Sequence, residues 1–160
     1  MATVLIADDK EVFRTDAKKL LADDRDFKFI FATTPEEAVH HLQSGKVEVA
    51  VVDLRLRDGN EFDHSGLDVA SRSSQLIPII MVSEYSDRNA IMEAVNTRPD
   101  GYPLVFRFLS KQDITDHPEL LRTTVRTALM KRDLWSKTER EKINPQLLSH
   151  YSSDRRWSHF

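Results

Sequence analysis

Five apolar segments rich in β-branched residues alternate along this chain with segments that have the apolar spacing of amphipathic helices. This alternation is typical of a parallel sheet with helices on both faces, because parallel strands are joined by helix-length crossovers. Runs such as VEVAVV and PIIMV fit strands that are buried on both faces. The sequence therefore predicts an α/β fold with a doubly wound, five-stranded parallel sheet. The strands are expected near residues 3–7, 27–32, 47–53, 78–83 and 104–109.

Helices are predicted between these strands and after the last one. The first covers about 11–22 and has its inner face formed by Val12, Phe13, Ala17, Leu20 and Leu21. The second begins at a capping box, with Thr34 as N-cap, Pro35 in the first turn and Glu37 reaching back, and it ends at Gly45. The third is marked by Leu67, Val69 and Ala70, and the fourth by Ile91, Met92 and Val95. The last begins near Pro118 and runs through Trp135 toward Lys142.

Composition excludes several classes of protein. With 160 residues, 40% of them hydrophobic, the chain suits one domain with a short excess and leaves no room for a second folded domain. Cysteine is absent, so neither disulfides nor thiolate metal sites are available. The start lacks the features of a signal peptide and no apolar run could span a bilayer, so a cytoplasmic protein without membrane contact is expected.

Charge is distributed unevenly along the chain. Residues 1–130 carry 16 basic and 22 acidic side chains, whereas residues 131–160 carry 7 and 4. Non-specific binding to nucleic acid depends on neutralising phosphates with basic side chains. An acidic body with a weakly basic tail therefore disfavours nucleic acid as a partner.

Polar side chains that suit phosphoryl transfer follow four of the predicted strands. They are Asp8 and Asp9 after the first strand, Asp53 at the end of the third, Ser83 at the end of the fourth and Lys111 after the fifth. We call these five residues the strand-end site. Open α/β sheets bind ligands at the carboxyl ends of their strands, so we expect these side chains to converge and form a cation site beside a nucleophile.

The chemistry of this site depends on Asp53. A carboxylate on the central strand can attack phosphorus and form an aspartyl phosphate. A cluster of three carboxylates repels itself, so a divalent cation is needed to hold it together and to neutralise the incoming phosphoryl oxygens. Mg²⁺ fits, because it takes oxygen ligands and binds through few carboxylates plus phosphate. Calcium is the weaker alternative, since the chain lacks a D-x-D-x-D-G loop.

The elements VLIADD, VVDLRL, GLDVA, PIIMVS and FLSK, in this order, resemble the receiver domain of two-component response regulators over residues 2–131. The resemblance implies a flavodoxin-like sheet with strand order 2-1-3-4-5. It also implies that Asp9 and Asp53 ligate Mg²⁺ directly, that Asp8 acts mainly through water, and that the main-chain carbonyl of Arg55 contributes. Lys111 and Ser83 would contact phosphoryl oxygens, and Phe108 matches the aromatic residue that moves when the switch operates.

Some positions depart from the family pattern. Glu84 and Gln112 stand where a small residue and a cis-proline are usual, so Glu84 is expected to repel a donor or narrow the entrance, and the peptide before Gln112 is expected to be trans. Arg55 and Tyr85 occupy the two positions that tune hydrolysis of the aspartyl phosphate in this family. Their bulk predicts a long-lived phosphorylated state.

The leading hypothesis is a response regulator receiver, not a turnover enzyme, that accepts a phosphoryl group on Asp53 from a histidine kinase or a histidine phosphotransfer protein. Residues 1–131 would form the domain, and residues 132–160 an extension of the last helix with a polar, basic tail. The switch would control a protein partner or a homodimer through the fourth helix, fifth strand and last helix. Neither the kinase nor the target can be read from the sequence.

Two other functions remain open at this point. The first is a phosphorylation-independent pseudo-receiver that serves as an interaction module, which Glu84 and Gln112 would favour. The second is a phosphatase with an aspartyl nucleophile. That enzyme class needs a second acid two residues beyond the nucleophile, where this chain has Arg55.

Overall fold

The computed structural model describes residues 1–22, 27–57, 63–74, 76–84, 91 and 103–143, with side chains up to residue 138. Its strands are β1 (Ala2–Ala7), β2 (Phe27–Ala32), β3 (Val49–Asp53), β4 (Ile79–Ser83) and β5 (Arg107–Ser110). The described helices, numbered in chain order, are α1 (Glu11–Leu21), α2 (Pro35–Gln43), α3 (Ser65–Arg72), α4 (Lys111–Asp116) and α5 (Leu120–Ile143). Among the described residues, every helix lacks the length or the apolar character that crossing a bilayer requires.

All four strand pairings are parallel, and the sheet order is β2-β1-β3-β4-β5. Central strand β3 is buried at all five positions, as expected for a strand with helices on both sides. Alternate residues of the strands face two separate core clusters. One cluster includes buried residues of α2 and α3, and the other includes buried residues of α1 and α5. The predicted doubly wound α/β fold and its strand order are therefore confirmed.

The ends of some elements differ from the predictions. Strand β5 begins at Arg107, three residues later than expected, and the sequence after it forms the unpredicted helix α4. Ser110 caps α4, because its hydroxyl accepts a hydrogen bond from the Asp113 N–H at 3.0 Å. The Lys111–Gln112 peptide is trans, as predicted, since the described part of the chain contains no cis bond.

Helices α1 and α2 each correct one detail of the sequence analysis. Val12 is 74% exposed instead of facing inward, because it lies about 100° around the helix from Phe13. In α2 the Thr34 hydroxyl accepts from the Glu37 N–H at 3.2 Å, but the Glu37 carboxylate accepts from the Thr33 hydroxyl instead of reaching Thr34. The predicted capping box is thus half formed. Of the predicted fourth helix, Ile91 is helical and the rest lies outside the described residues.

Candidate functional site

The sheet register brings the strand-end residues to one edge. Ala7 of β1 is level with Val52, Asp53 of β3 is level with Val82, and Ser83 is level with Ser110. Consequently Asp8, Asp53, Ser83 and Lys111 each stand within about one residue of the same line across the sheet. The parallel arrangement, rather than any local motif, produces this convergence.

Three carboxylates form the acidic part of the site. Asp8, Asp9 and Asp53 each offer an oxygen, and these oxygens all lie within 4.8 Å of one another. Asp8 and Asp53 are buried, whereas Asp9 is exposed. Two hydrogen bonds hold Asp8 in place: the Lys10 main-chain N–H donates to its Oδ1 at 2.8 Å, and the Arg14 guanidinium donates to its main-chain carbonyl at 2.7 Å. An oxygen-only donor set with water access on one side fits Mg²⁺.

The Lys111 ammonium is the cation that neutralises part of this charge. It donates to Oδ2 of Asp8 at 2.8 Å and lies 3.8 Å from Oδ2 of Asp53. It also lies 4.5 Å from the centre of the Phe13 ring, a distance at which a cation and an aromatic face attract. Asp8 is therefore the nearer carboxylate partner of Lys111, and Asp53 is the more distant one. Phe13 on α1 and Asp8 together hold the ammonium beside Asp53.

Burial and charge change the acidity of the cluster. Burial raises the pKa of Asp53 to about 7, and the neighbouring Asp8 carboxylate adds to this rise. The Lys111 ammonium and the main-chain N–H of Arg55 lower the pKa of Asp53 and offset part of the effect. The pKa of Asp9 is raised as well, first by partial desolvation and then by Asp8. Burial and mutual repulsion thus disfavour the charged form of Asp9 and Asp53, as expected of a site that takes a divalent cation.

Ser83 and Phe108 lie on neighbouring strands. Ser83 is buried at the end of β4. Phe108 on β5 is half-buried, is level with Met81 of β4, and packs against one of the two core clusters. The structure places both residues where the sequence expected them, and their roles in switching stay predictions.

An ion pair stands at the mouth of the site. Lys10 Nζ lies 2.5 Å from Oε1 of Glu84, and the two side chains are 51% and 40% exposed. Through this hydrogen bond, Lys10 lowers the pKa of Glu84 and Glu84 raises the pKa of Lys10. We call this contact the Lys10–Glu84 pair. The sequence predicted from Glu84 alone that the entrance is narrowed or repels a donor, and the structure adds Lys10 as the partner of Glu84.

Lys10 and Glu84 line a pocket of about 10 Å³ together with Asp53, Arg55 and Lys111, which we call the acceptor pocket. This volume holds about one water molecule. Arg55 is buried, with only 7% of its surface exposed. Tyr85, the other residue predicted to tune hydrolysis, lies outside the described residues.

Sequence reasoning missed three residues that shape the site: Lys10, Phe13 and Gly66. A Cβ on Gly66 would lie 2.3 Å from the main-chain carbonyl oxygen of Asp53, so glycine is needed for α3 to pack beside the end of β3. The Gly66 N–H donates to the Leu54 carbonyl at 2.9 Å. The glycine of the GLDVA segment was the available signal, whereas Lys10 and Phe13 gave none.

The sequence matches the family model described as the response regulator receiver domain over residues 4–116. A relative, the DNA-binding transcriptional activator DevR/DosR of Mycobacterium tuberculosis, is 33% identical over 103 residues, which are 64% of this chain and 46% of that protein. The chain therefore spans about half the length of this relative.

Solved structures share the fold. The signal receiver domain of an HD domain-containing protein from Pseudomonas fluorescens is 22% identical, with a TM-score of 0.66, and the match covers 82% of this chain and 97% of that one. A CheY-like response regulator receiver domain protein from Methanospirillum hungatei is 18% identical, with a TM-score of 0.68, and the match covers 83% and 97% of the two chains.

Proposed function

This chain belongs to the response regulator receiver domain family of two-component systems, and from this we propose that Asp53 accepts a phosphoryl group from a phosphohistidine. The donor is a histidine kinase or a histidine phosphotransfer protein. One observation carries the proposal: a buried carboxylate ends the central strand beside two further carboxylates and a lysine ammonium. Asp53 is a phosphoacceptor, not an enzyme with multiple turnover.

In the proposed reaction an Oδ of Asp53 attacks the phosphorus, the P–N bond to the histidine breaks, and the imidazole leaves with the electron pair of that bond. Asp9, Asp53 and the Arg55 main-chain carbonyl would hold Mg²⁺ directly, and Asp8 would hold it through water. Bound there, the ion would supply positive charge for the phosphoryl oxygens. Asp53 must be ionised to attack. Its raised pKa in the absence of a cation supports a requirement for one, because a cation favours the carboxylate form.

Lys111 and Ser83 bind two phosphoryl oxygens in this proposal. The Lys111 ammonium is a compact point charge already 3.8 Å from Asp53. The Ser83 hydroxyl donates a hydrogen bond once the phosphoryl group is present, which pulls the end of β4 inward. Phe108 then turns into the vacated space, so that a local change in charge reaches the β5 surface.

Arg55 and Tyr85 are proposed to slow hydrolysis of the aspartyl phosphate. The burial of Arg55 against the acceptor pocket supports this role, because its side chain occupies space that an attacking water would need. Tyr85 enters the proposal from the sequence alone. The phosphorylated state then lasts long enough to act through a partner that responds slowly.

We assign residues 1–131 to the receiver domain and residues 132–160 to an extension. The fully buried residues of α5 end at Ala128, while the helix continues to Ile143. Beyond Ala128, the side chains of Met130 and Leu134 are 68% and 59% exposed. A homodimer through the predicted fourth helix, β5 and α5 would cover these side chains, and the downstream partner is a protein.

The experiment is incubation of the full chain with acetyl phosphate, with and without Mg²⁺, followed by intact mass measurement. Addition of one phosphoryl group that needs Mg²⁺ and disappears in Asp53→Asn is the expected result. Absence of addition under all conditions would instead favour the phosphorylation-independent module, and sustained turnover of a phosphate ester would favour the phosphatase.

A further inference from the structure

The Lys10–Glu84 pair joins two loops that are distant in sequence. Lys10 lies between β1 and α1, and Glu84 directly follows β4. Both side chains also line the acceptor pocket together with Asp53. The contact therefore bridges two loops that both line the pocket.

The closed pair leaves little space for the reacting group. The pocket measures about 10 Å³, which suits a single water molecule. A phosphoryl group brings phosphorus and three oxygens. Entry beside Asp53 is therefore easier once the Glu84 side chain moves away from Lys10.

Glu84 also interacts with the positively charged side chains that a phosphoryl group would need. Its carboxylate is stabilised by the positive charges of Lys10, Lys111 and Arg55. Two of these residues, Lys111 and Arg55, line the acceptor pocket together with Asp53. The carboxylate thus acts as an internal anion that competes with an incoming phosphoryl group for the same cations.

The Lys10–Glu84 pair is weak enough to open and close. Both partners are about half exposed, and exposed ion pairs are individually weak and screened by salt. Thermal opening is therefore frequent, and the pair slows entry without blocking it.

We propose that the Lys10–Glu84 pair is a latch on the acceptor pocket, and that Glu84 determines how fast small phosphodonors react with Asp53. When Glu84 swings out, Lys10 is released and its ammonium contacts the entering phosphoryl group. This inference rests on the proposed function, because it concerns access to the same nucleophile.

The test compares initial rates of phosphorylation by acetyl phosphate with saturating Mg²⁺, read by intact mass. Glu84→Ala removes charge and bulk, and a gain of roughly tenfold is expected; Glu84→Gln removes only the charge, and a gain of about threefold is expected. Adding Lys10→Met to Glu84→Ala should lower the rate again by about threefold, because the released ammonium is gone. The gain of Glu84→Gln should shrink in high salt.

The control is Glu36→Gln, which breaks the exposed pair between Arg57 and Glu36 at 2.8 Å, a contact between α2 and the segment after β3. Its rate should equal that of the wild type. A wild type that is phosphorylated at the same rate as both Glu84 variants would overturn the latch and leave the proposed function standing. Failure of every variant to gain a phosphoryl group would overturn the proposed function and the latch with it. Phosphorylation of Glu84→Ala alone would support both.

Discussion

The ammonium of Lys111 lies 2.8 Å from Oδ2 of Asp8, and the Asp8 side chain is fully buried. This contact holds the lysine at the strand-end site before any phosphoryl group arrives. The same ammonium is 3.8 Å from Asp53, so a small movement transfers it from one carboxylate to the other. In the proposed reaction, Asp8 holds the lysine that Asp53 would need after phosphorylation.

Lys111→Met should weaken both the fold and the reaction. Removing the ammonium leaves the Asp8 carboxylate buried without its charged partner, which costs about 3–5 kcal/mol for a buried pair. Loss of a cation on the phosphoryl oxygens should slow phosphorylation by about 10²-fold. Urea unfolding and the acetyl phosphate assay measure the two effects.

Phe13→Leu is the matched control for the surroundings of Lys111. It removes the aromatic face 4.5 Å from the ammonium and keeps the charge, so the rate should fall by less than in Lys111→Met. An attraction of this kind contributes about 0.5–2 kcal/mol. Equal losses in the two variants would mean that packing, not the ammonium, supports the reaction.

Asp53 should make the stability of the metal-free protein depend on pH. Its pKa is raised to about 7 by burial and by Asp8, above the usual value of about 3.9 in an unfolded chain. The folded state therefore binds the proton more tightly, and this stabilisation is present below about pH 4 and is lost as pH rises through 7. The loss for this coupled group is on the order of 2–4 kcal/mol.

The measurement is urea unfolding in EDTA at several pH values for the wild type and Asp53→Asn. The variant should gain stability over the wild type between pH 4 and pH 8, since acids remote from Asp53 contribute equally to both proteins. Mg²⁺ should raise the stability of the wild type at pH 8 more than that of the variant. A difference that stays constant with pH would contradict the raised pKa.

Gly66→Ala should displace the Asp53 carboxylate through a contact with the main chain of Asp53. The added Cβ would meet the Asp53 carbonyl oxygen at 2.3 Å and Leu54 Cα at 2.8 Å, so the end of β3 or the start of α3 must shift. Overpacking of this kind costs about 1–3 kcal/mol, and the displaced carboxylate should react more slowly.

Gly45→Ala is the comparison, because Gly45 has φ of 79° and a Cβ added there would meet nothing within 4 Å. Its substitution should lower stability by about 1 kcal/mol through backbone strain and leave the phosphorylation rate unchanged. If the two variants lose stability and rate in the same proportion, the contact between Gly66 and Asp53 has no special effect on the nucleophile.

Leu134→Glu tests the proposed dimer. Leu134 is 59% exposed on the part of α5 beyond the buried positions, and a carboxylate there would be buried unpaired in an interface. Phosphorylated wild type should elute as a dimer in size-exclusion chromatography, and the variant as a monomer. Val12→Glu, on the exposed face of α1, should leave dimerisation intact; dimerisation of Leu134→Glu to the wild-type extent would remove α5 from the interface.

The sequence predicts the location of the strand-end site because sheet geometry determines it. Once the strands are parallel, residues at their carboxyl ends share one edge, and Asp53 and Ser83 are placed by the register alone. Strand positions follow from apolar runs, so β1 to β4 were predicted to within two residues of the observed bounds.

Contacts between loops are not predictable in the same way. The Lys10–Glu84 pair depends on the rotamers of two long side chains that are 74 residues apart, and no local pattern encodes it. Helix α4 did have a signal, since Ser110 with Asp113 three positions later is a helix-start pattern. This signal was missed because it stands between the apolar strand pattern FRFL and the pattern of the long last helix.

The lifetime of the aspartyl phosphate should shorten when Arg55 or Tyr85 is replaced. Arg55 is buried against the acceptor pocket, so Arg55→Asn opens space for water and offers an amide that orients it. Tyr85→Glu supplies a carboxylate that can take the proton of the attacking water. An acceleration of about tenfold in each variant corresponds to roughly 1.4 kcal/mol of barrier. Decay is followed by intact mass after removal of acetyl phosphate.

Arg57→Asn is the matched control, because Arg57 is an exposed arginine paired with Glu36, and its decay should match the wild type. Unchanged decay in both Arg55→Asn and Tyr85→Glu would show that these side chains do not protect the phosphoryl group.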